Sequence, residues 1–369
     1  MGNQFLKKFL LIFLISNLSS HAFAYTSQEV SDFESGRENG NHDYSNLSLD
    51  LEPLLDTQET ILTNAQINPA FNEIFQNTAK WAAHVVYLSK DGLTKKVLTT
   101  YRYRQTIKPA STLKLFTGYL AFLNKNYDVI DLKEKSLYDY KEGETSPKNK
   151  SHTLSNMMAF SDNEMADEAL ISLAYEPVPS VTVENKQILI NAGLLVMNSK
   201  YFEIFKNNTD FLLFRAVNGS GLNLTDIDTG LQLNQVTAQL ETTLLETIYR
   251  STNYNSYKKL LAEPSKKSTL EKRLVDINKV SPIYAKTGTL DRTIALAGFA
   301  ETKNGVLIYS IIADEIKLSP KAIVGKPKDM EVALNNAKMV AVVEAQEKHR
   351  SYIDTFLTEH INYINSSGL

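Results

Sequence analysis

The chain contains no cysteine. That absence removes disulfides, thiolate metal sites and a cysteine nucleophile together, so stability must come from packing. Its 6 histidines include no His-x-x-x-His or His-Glu-x-x-His pair, which takes away the helical zinc-hydrolase pattern; no metal is expected. A basic excess is missing too. Lys and Arg total 39 against 42 Asp and Glu, a net charge of −3, and such a surface offers no field for nucleic acid, so no nucleic-acid partner is expected. Long hydrophobic runs are also lacking. The longest candidate, Phe9 to Leu18, is well short of the roughly 20 residues that span a bilayer. With Lys7 and Lys8 before it and Ala22-Phe23-Ala24 after it, this run reads as a secretory signal cleaved after Ala24. The expectation is an exported, periplasmic protein with no membrane span after cleavage.

What is present suffices for a large core: 369 residues, 43% of them hydrophobic, which allows one large domain or two intimately packed ones. Residues 25–65 are acidic and polar and read as a flexible leader. Trp81 to Leu88 and Val97 to Tyr103, around an Asp91-Gly92 turn, predict a hairpin. Ile283 to Thr287, Ile294 to Glu301 and Val306 to Ala313 predict three more strands, the last two joined by Lys303-Asn304-Gly305. Helical spacing is read after Ser111, over Met157 to Leu173, Gln187 to Leu195, Leu231 to Arg250 and Ser268 to Asp276, and in a terminal helix from Met330 to Ile361. The expected fold class is therefore α/β (α+β). A sheet-containing subdomain is formed by 66–125 and 281–369, with a mostly helical subdomain over 126–280 between them.

Three short elements carry the chemistry: Ser111-x-x-Lys114, Ser161-Asp162-Asn163 and Lys286-Thr287-Gly288. Each alone is weak. Ser256-Tyr257-Lys258-Lys259 and Ser251-Thr252-Asn253 spell similar patterns by chance, but in reversed order and without a helix start. Residues three apart on a helix share a face, so the Lys114 amine can reach the Ser111 hydroxyl. A lysine serves as a base only when neutral, and burial together with a second cation at Lys286 would lower its proton affinity. A hydroxyl at Ser161 can relay a proton to a leaving amine, and the Asn163 amide can hold a substrate backbone; Asp162 reads as structural. Lys286-Thr287-Gly288-Thr289 falls on a strand edge where lysine and hydroxyls can bind a terminal carboxylate. There glycine lets a substrate peptide approach, and the Thr289 N–H can join that of Ser111 as an oxyanion hole. The plainer readings are a helix cap at Ser111, a capped turn at Ser161 and an ordinary strand end at Lys286.

In that order the three elements match the set of penicillin-binding proteins and serine β-lactamases. From about Trp81 to Asp314 the chain resembles the D-alanyl-D-alanine carboxypeptidase/endopeptidases, the low-molecular-mass class C penicillin-binding proteins. Pro109 to Leu115, Ser161-Asp162-Asn163 with Met165-Ala166, Ala285 to Leu290 with Leu296 to Phe299, and Asn218-Gly219-Ser220-Gly221-Leu222 carry the likeness. The gap of about fifty residues between the first two elements leaves no room for the family's accessory insertion. Asn218 stands where the family has an acid, and Asn223-Leu224 where it has a Ser-Arg pair.

The resemblance implies a β-lactamase/transpeptidase-like fold, an antiparallel sheet flanked by helices. It implies catalytic roles for Ser111, Lys114, Ser161 and Lys286, and substrate binding by Asn163, Thr287, Gly288 and Thr289. Peptidoglycan muropeptides and β-lactam inhibitors would be the partners, and no cofactor would be needed. A serine β-lactamase is the alternative, with Glu203 to Asn207 as a loose Glu-x-x-x-Asn match for a deacylating base. A non-enzymatic penicillin-binding sensor or wall-binding module is a second. Gly219-Ser220-Gly221 lacks the nucleophile-elbow spacing of a Ser-His-Asp hydrolase.

Overall fold

The computed structural model describes residues 70–123, 154–175, 185–205, 236–290, 292–319, 330–367 and 369. The expected signal, the leader and the Asn218 to Leu222 element lie outside the described residues. Five strands form one antiparallel sheet: β1 (Lys80–Ser89), β2 (Lys95–Tyr101), β3 (Ile283–Leu290), β4 (Thr293–Glu301) and β5 (Gly305–Asp314), in the order β2-β1-β5-β4-β3. Strands from the two ends of the chain meet where β1 pairs with β5, Lys80 opposite Asp314 through Ser89 opposite Gly305.

Helices cover both faces of this sheet, which is why β4 and β5 read as almost unbroken apolar runs instead of alternating ones. Helix α1 (Ala70–Asn77) and the terminal helix, which runs from Met330 to Ser367, close one face. There Phe75 stacks on Trp81 at 4.7 Å and meets Phe356 at 5.1 Å. Helices α2 (Lys114–Leu123), α3 (Asn163–Ala174), α4 (Lys186–Ile204) and α5 (Ala238–Arg250) lie on the other side. Leu244 and Ile248 of α5 share a core there with Ile308 and Ile312 of β5, all fully buried. Each such side chain contributes about 1.5–3 kcal/mol relative to exposure.

Two helical expectations are corrected, and a third is interrupted where its polar Ser161-Asp162-Asn163 run suggested a turn. Ser268 to Asp276 is a series of turns with one helical turn, Val275–Asn278, because Lys272 and Leu274 take left-handed backbone (φ 69 and 55) that a helix cannot carry. Met157 to Leu173 is broken after a π-type turn, Asn156–Phe160, by left-handed Ser161 (φ 65), and restarts at Asn163. Of the Leu231 to Arg250 stretch, residues 231–235 lie outside the described residues, and helix α5 begins at Ala238, where the Thr237 hydroxyl caps it by accepting from the Leu240 N–H at 3.0 Å. Among the described residues no helix is long and apolar enough to cross a membrane.

Candidate active site

The site is assembled from one turn, one helix start and one sheet edge. Pro109 leads into a 3-10 turn over Ala110–Leu113, and α2 follows without a break at Lys114. Ser111 therefore sits in a tight turn ahead of the α-helix. The i,i+3 spacing does what geometry requires: Lys114 Nζ lies 3.2 Å from Ser111 Oγ.

Ser161 is brought over this pair by its left-handed backbone, which turns the chain sharply between the π-type turn and α3. The Asp162 carboxylate accepts from the Met165 N–H at 3.0 Å, so it caps α3 and fixes the turn. Lys114 Nζ donates to the Ser161 carbonyl at 2.9 Å and to Asn163 Oδ1 at 2.6 Å, and lies 3.4 Å from Ser161 Oγ. A neutral amine has two N–H bonds and one lone pair. With both donors committed to the two shorter contacts, the lone pair is left for the Ser111 hydroxyl.

β3 closes the site as the edge strand. Lys286 Nζ donates to Ser161 Oγ at 2.8 Å and to the Thr287 carbonyl at 3.0 Å. Ser161 Oγ is thus held between two amines. Gly288 faces the nucleophile turn: a Cβ there would stand 2.7 Å from the Pro109 carbonyl oxygen and 3.1 Å from the Ala110 Cβ. The room this glycine leaves is filled by the Pro109-Ala110 turn, whereas the sequence suggested room for a substrate peptide. Ala285 bonds outward to Ala262 in both directions. By the two-residue repeat of a strand, Thr287 and Thr289 also direct their backbone N–H and C=O away from β4. Thr289 is exposed at this edge.

Lys114 and Lys286 are both fully buried, and burial disfavours their charged forms. The Lys114 amine is pushed down from 10.5 to about 7, against the opposing pull of the Asp162 and Asp167 carboxylates. Burial holds Lys286 well below the ordinary range, helped by repulsion from Lys114. No group of three or more side chains able to hold a metal ion occurs among the described residues.

All eight candidate residues lie within the described segments. The hydrogen bonds above join Ser111, Lys114, Ser161, Asn163 and Lys286 directly, while Thr287, Gly288 and Thr289 line the edge beside them. Sequence reasoning missed Thr269. Its hydroxyl accepts from Thr287 Oγ1 at 2.8 Å and its N–H bonds the Ala159 carbonyl at 3.0 Å, so it links the second and third elements. No motif marks it. Of the alternative Glu203 to Asn207 match, Glu203 has its backbone inside α4 rather than in a loop, and 206–207 lie outside the described residues.

No curated protein matches the chain. Solved structures that resemble it include penicillin binding protein 4 from Haemophilus influenzae, with 20% identity, TM-score 0.33, 53% of this chain and 41% of that one. The D-alanyl-D-alanine carboxypeptidase from Mycobacterium tuberculosis shows 15% identity, TM-score 0.40, 73% of this chain and 91% of that one. A β-lactamase from Streptomyces albus G shows 12% identity, TM-score 0.45, 74% of this chain and 97% of that one. The firmer finding is a family model described as the D-Ala-D-Ala carboxypeptidase 3 (S13) family, which matches residues 145–337. That match takes in the Ser161 and Lys286 elements and just over half of the chain, and Lys114, beside Ser111, bonds the Ser161 element, whose Ser161 hydroxyl in turn accepts from Lys286. The chain belongs to the D-Ala-D-Ala carboxypeptidase S13 family.

Proposed function

We propose that the protein is a serine-type D-Ala-D-Ala carboxypeptidase or endopeptidase that acts on peptidoglycan peptides, after export, through an acyl-enzyme at Ser111. The observation that carries this reading is the hydrogen-bonded cluster of Ser111, Lys114, Ser161 and Lys286, in which a buried amine with lowered proton affinity faces a hydroxyl.

The neutral Lys114 amine takes the Ser111 hydroxyl proton as Oγ attacks the penultimate D-alanyl carbonyl carbon. The resulting oxyanion is held by the N–H groups of Ser111, at the open start of its turn, and Thr289, at the free edge of β3. Collapse breaks the C–N bond. The leaving D-alanine amine takes a proton from Ser161 Oγ, and Lys114 returns the proton it accepted to that hydroxyl. Water then attacks the ester, and its proton goes back to Ser111. Lys286 with Thr287 would hold the substrate's terminal carboxylate, and Asn163 its backbone amide. A β-lactam would acylate Ser111 by the same attack, its ring amide standing in for the peptide bond.

Fluorescent penicillin should label the mature protein covalently and fail to label Ser111→Ala, while incubation with muropeptides should release D-alanine or resolve cross-links by mass. Retained labelling of the alanine variant would move the nucleophile elsewhere. Rapid turnover of the penicillin without peptide release would favour a β-lactamase.

A further inference from the structure

A buried carboxylate lies directly behind the nucleophile, outside the mechanism above. Glu241, on α5, is fully buried. Its Oε1 is 2.5 Å from the hydroxyl of Thr112, the residue that follows Ser111, and its Oε2 accepts from Ser310 Oγ at 2.7 Å. Thr112 and Ser310 are also fully buried. Ser310 is the one serine in the apolar middle of β5, opposite Ala297 on β4 and His84 on β1.

The Thr112 hydroxyl stands close to two acceptors and has one hydrogen to share between them. Thr112 has one hydroxyl hydrogen, and its Oγ1 also lies 2.7 Å from the Pro109 carbonyl, an acceptor that has no proton to give. If that hydrogen goes to Pro109, the hydrogen between Thr112 and Glu241 must come from the acid. A neutral Glu241 then satisfies every partner in one directional chain: acid to Thr112, Thr112 to Pro109, and Ser310 to the other acid oxygen. Burial pushes the Glu241 carboxyl up to about 7 against the two hydroxyl contacts, which agrees with that count.

The chain of bonds ends on strained backbone. Ala110, immediately before Ser111, is left-handed (φ 51) without being glycine, a conformation that persists only where its surroundings over-determine it. The Pro109 carbonyl is confined from one side by Gly288 and from the other by the Thr112 hydroxyl and N–H.

We propose that Glu241 is a positioning residue for the reaction: through Thr112 it locks the strained Pro109–Leu113 turn to Ser310 of β5, and so holds Ser111 Oγ against Lys114. This rests on Ser111 being the nucleophile. Displacement of reacting groups by about 1 Å can cost a hundredfold in rate, whereas binding of an intact ligand at the sheet edge would be little affected.

The test is single-turnover acylation by benzylpenicillin, resolved into the dissociation constant of the first complex and the acylation rate constant. The variants are E241Q, E241L, T112V and S310A in the full mature chain, with active fractions normalised by folded protein. Glutamine can donate to Thr112 and accept from Ser310, so E241Q is expected within about threefold of the parent. E241L and T112V should acylate about ten- to a hundredfold more slowly with the dissociation constant unchanged within threefold, and their double variant should lose little more. If E241L does not fold, T112V and S310A carry the test alone. Parental acylation rates in folded T112V and S310A would overturn the proposal, as would an E241Q rate as low as that of E241L. Labelling of Ser111→Ala would instead refute the nucleophile assignment and leave a different signature, since the Glu241 series would then show no rate change.

Discussion

The most demanding prediction concerns the pH at which Ser111 becomes reactive. An ordinary lysine at pH 7 is neutral in only about 0.03% of molecules, because its proton is held some 3.5 units too strongly. In this fold Lys114 is lowered from 10.5 to about 7 by burial, so about half the molecules carry the free base at neutrality. The difference corresponds to about 5 kcal/mol, at 1.36 kcal/mol for each unit. Acylation measured by stopped flow with a fluorescent penicillin should therefore rise tenfold per pH unit below 7 and level off above it. At pH 5 it should be about a hundredfold below the plateau.

The same burial has a stability signature of known sign. The folded affinity lies below the unfolded one, so the unfolded chain binds the extra proton between pH 7 and 10.5; stability rises with pH across that window, and the full cost is borne below 7. Lys114→Met should accordingly be inactive yet more stable at pH 6, by a few kcal/mol less whatever the unpaired Ser161 carbonyl and Asn163 amide cost. Lys114→Arg should be inactive at every pH, since a guanidinium stays charged. A flat acylation profile from pH 5 to 9, or a plateau reached only near pH 10, would refute the assignment of Lys114 as a base made neutral by its surroundings.

Other expectations follow from close contacts and buried charge. Gly288→Ala would press a methyl against the Pro109 carbonyl 2.7 Å away; acylation should fall at least tenfold and stability by about 1–3 kcal/mol, read by penicillin labelling kinetics and urea melts. At Gly193 an added Cβ would lie 1.9 Å from the Leu170 carbonyl oxygen, so Gly193→Ala should separate α3 from α4 and lower the melting temperature, while the folded fraction acylates at the parental rate. Glu241 is raised from 4.5 to about 7. The folded chain then holds the proton that the unfolded chain releases, and stability should fall between pH 4.5 and 7 by about 3 kcal/mol. Comparison of thermal melts for the parent and E241Q isolates that loss.

Local signals carried much of this protein on their own. The hairpin around Asp91-Gly92, the three later strands and the spacing of Ser111 and Lys114 are short-range patterns, in which periodicity and turn chemistry act within a few residues, and the structure reproduces them. The polar Ser161-Asp162-Asn163 run marks a break that the structure also has, but Lys272 and Leu274 were read as helix because their neighbours have helical spacing; left-handed backbone at a residue other than glycine is imposed by surroundings that no local window contains.

Long-range geometry was the part only the fold could decide. Lys286 meets Ser161 because β3 is the edge strand. Thr269 and Glu241 have no motif, and their roles exist only where turns and strands far apart in sequence touch. Proton affinity is likewise a property of the assembled interior. The sequence determined that a lysine stands three residues after the serine, but desolvation by packed neighbours, which follows from tertiary structure, decides whether that lysine is a surface ammonium or a base.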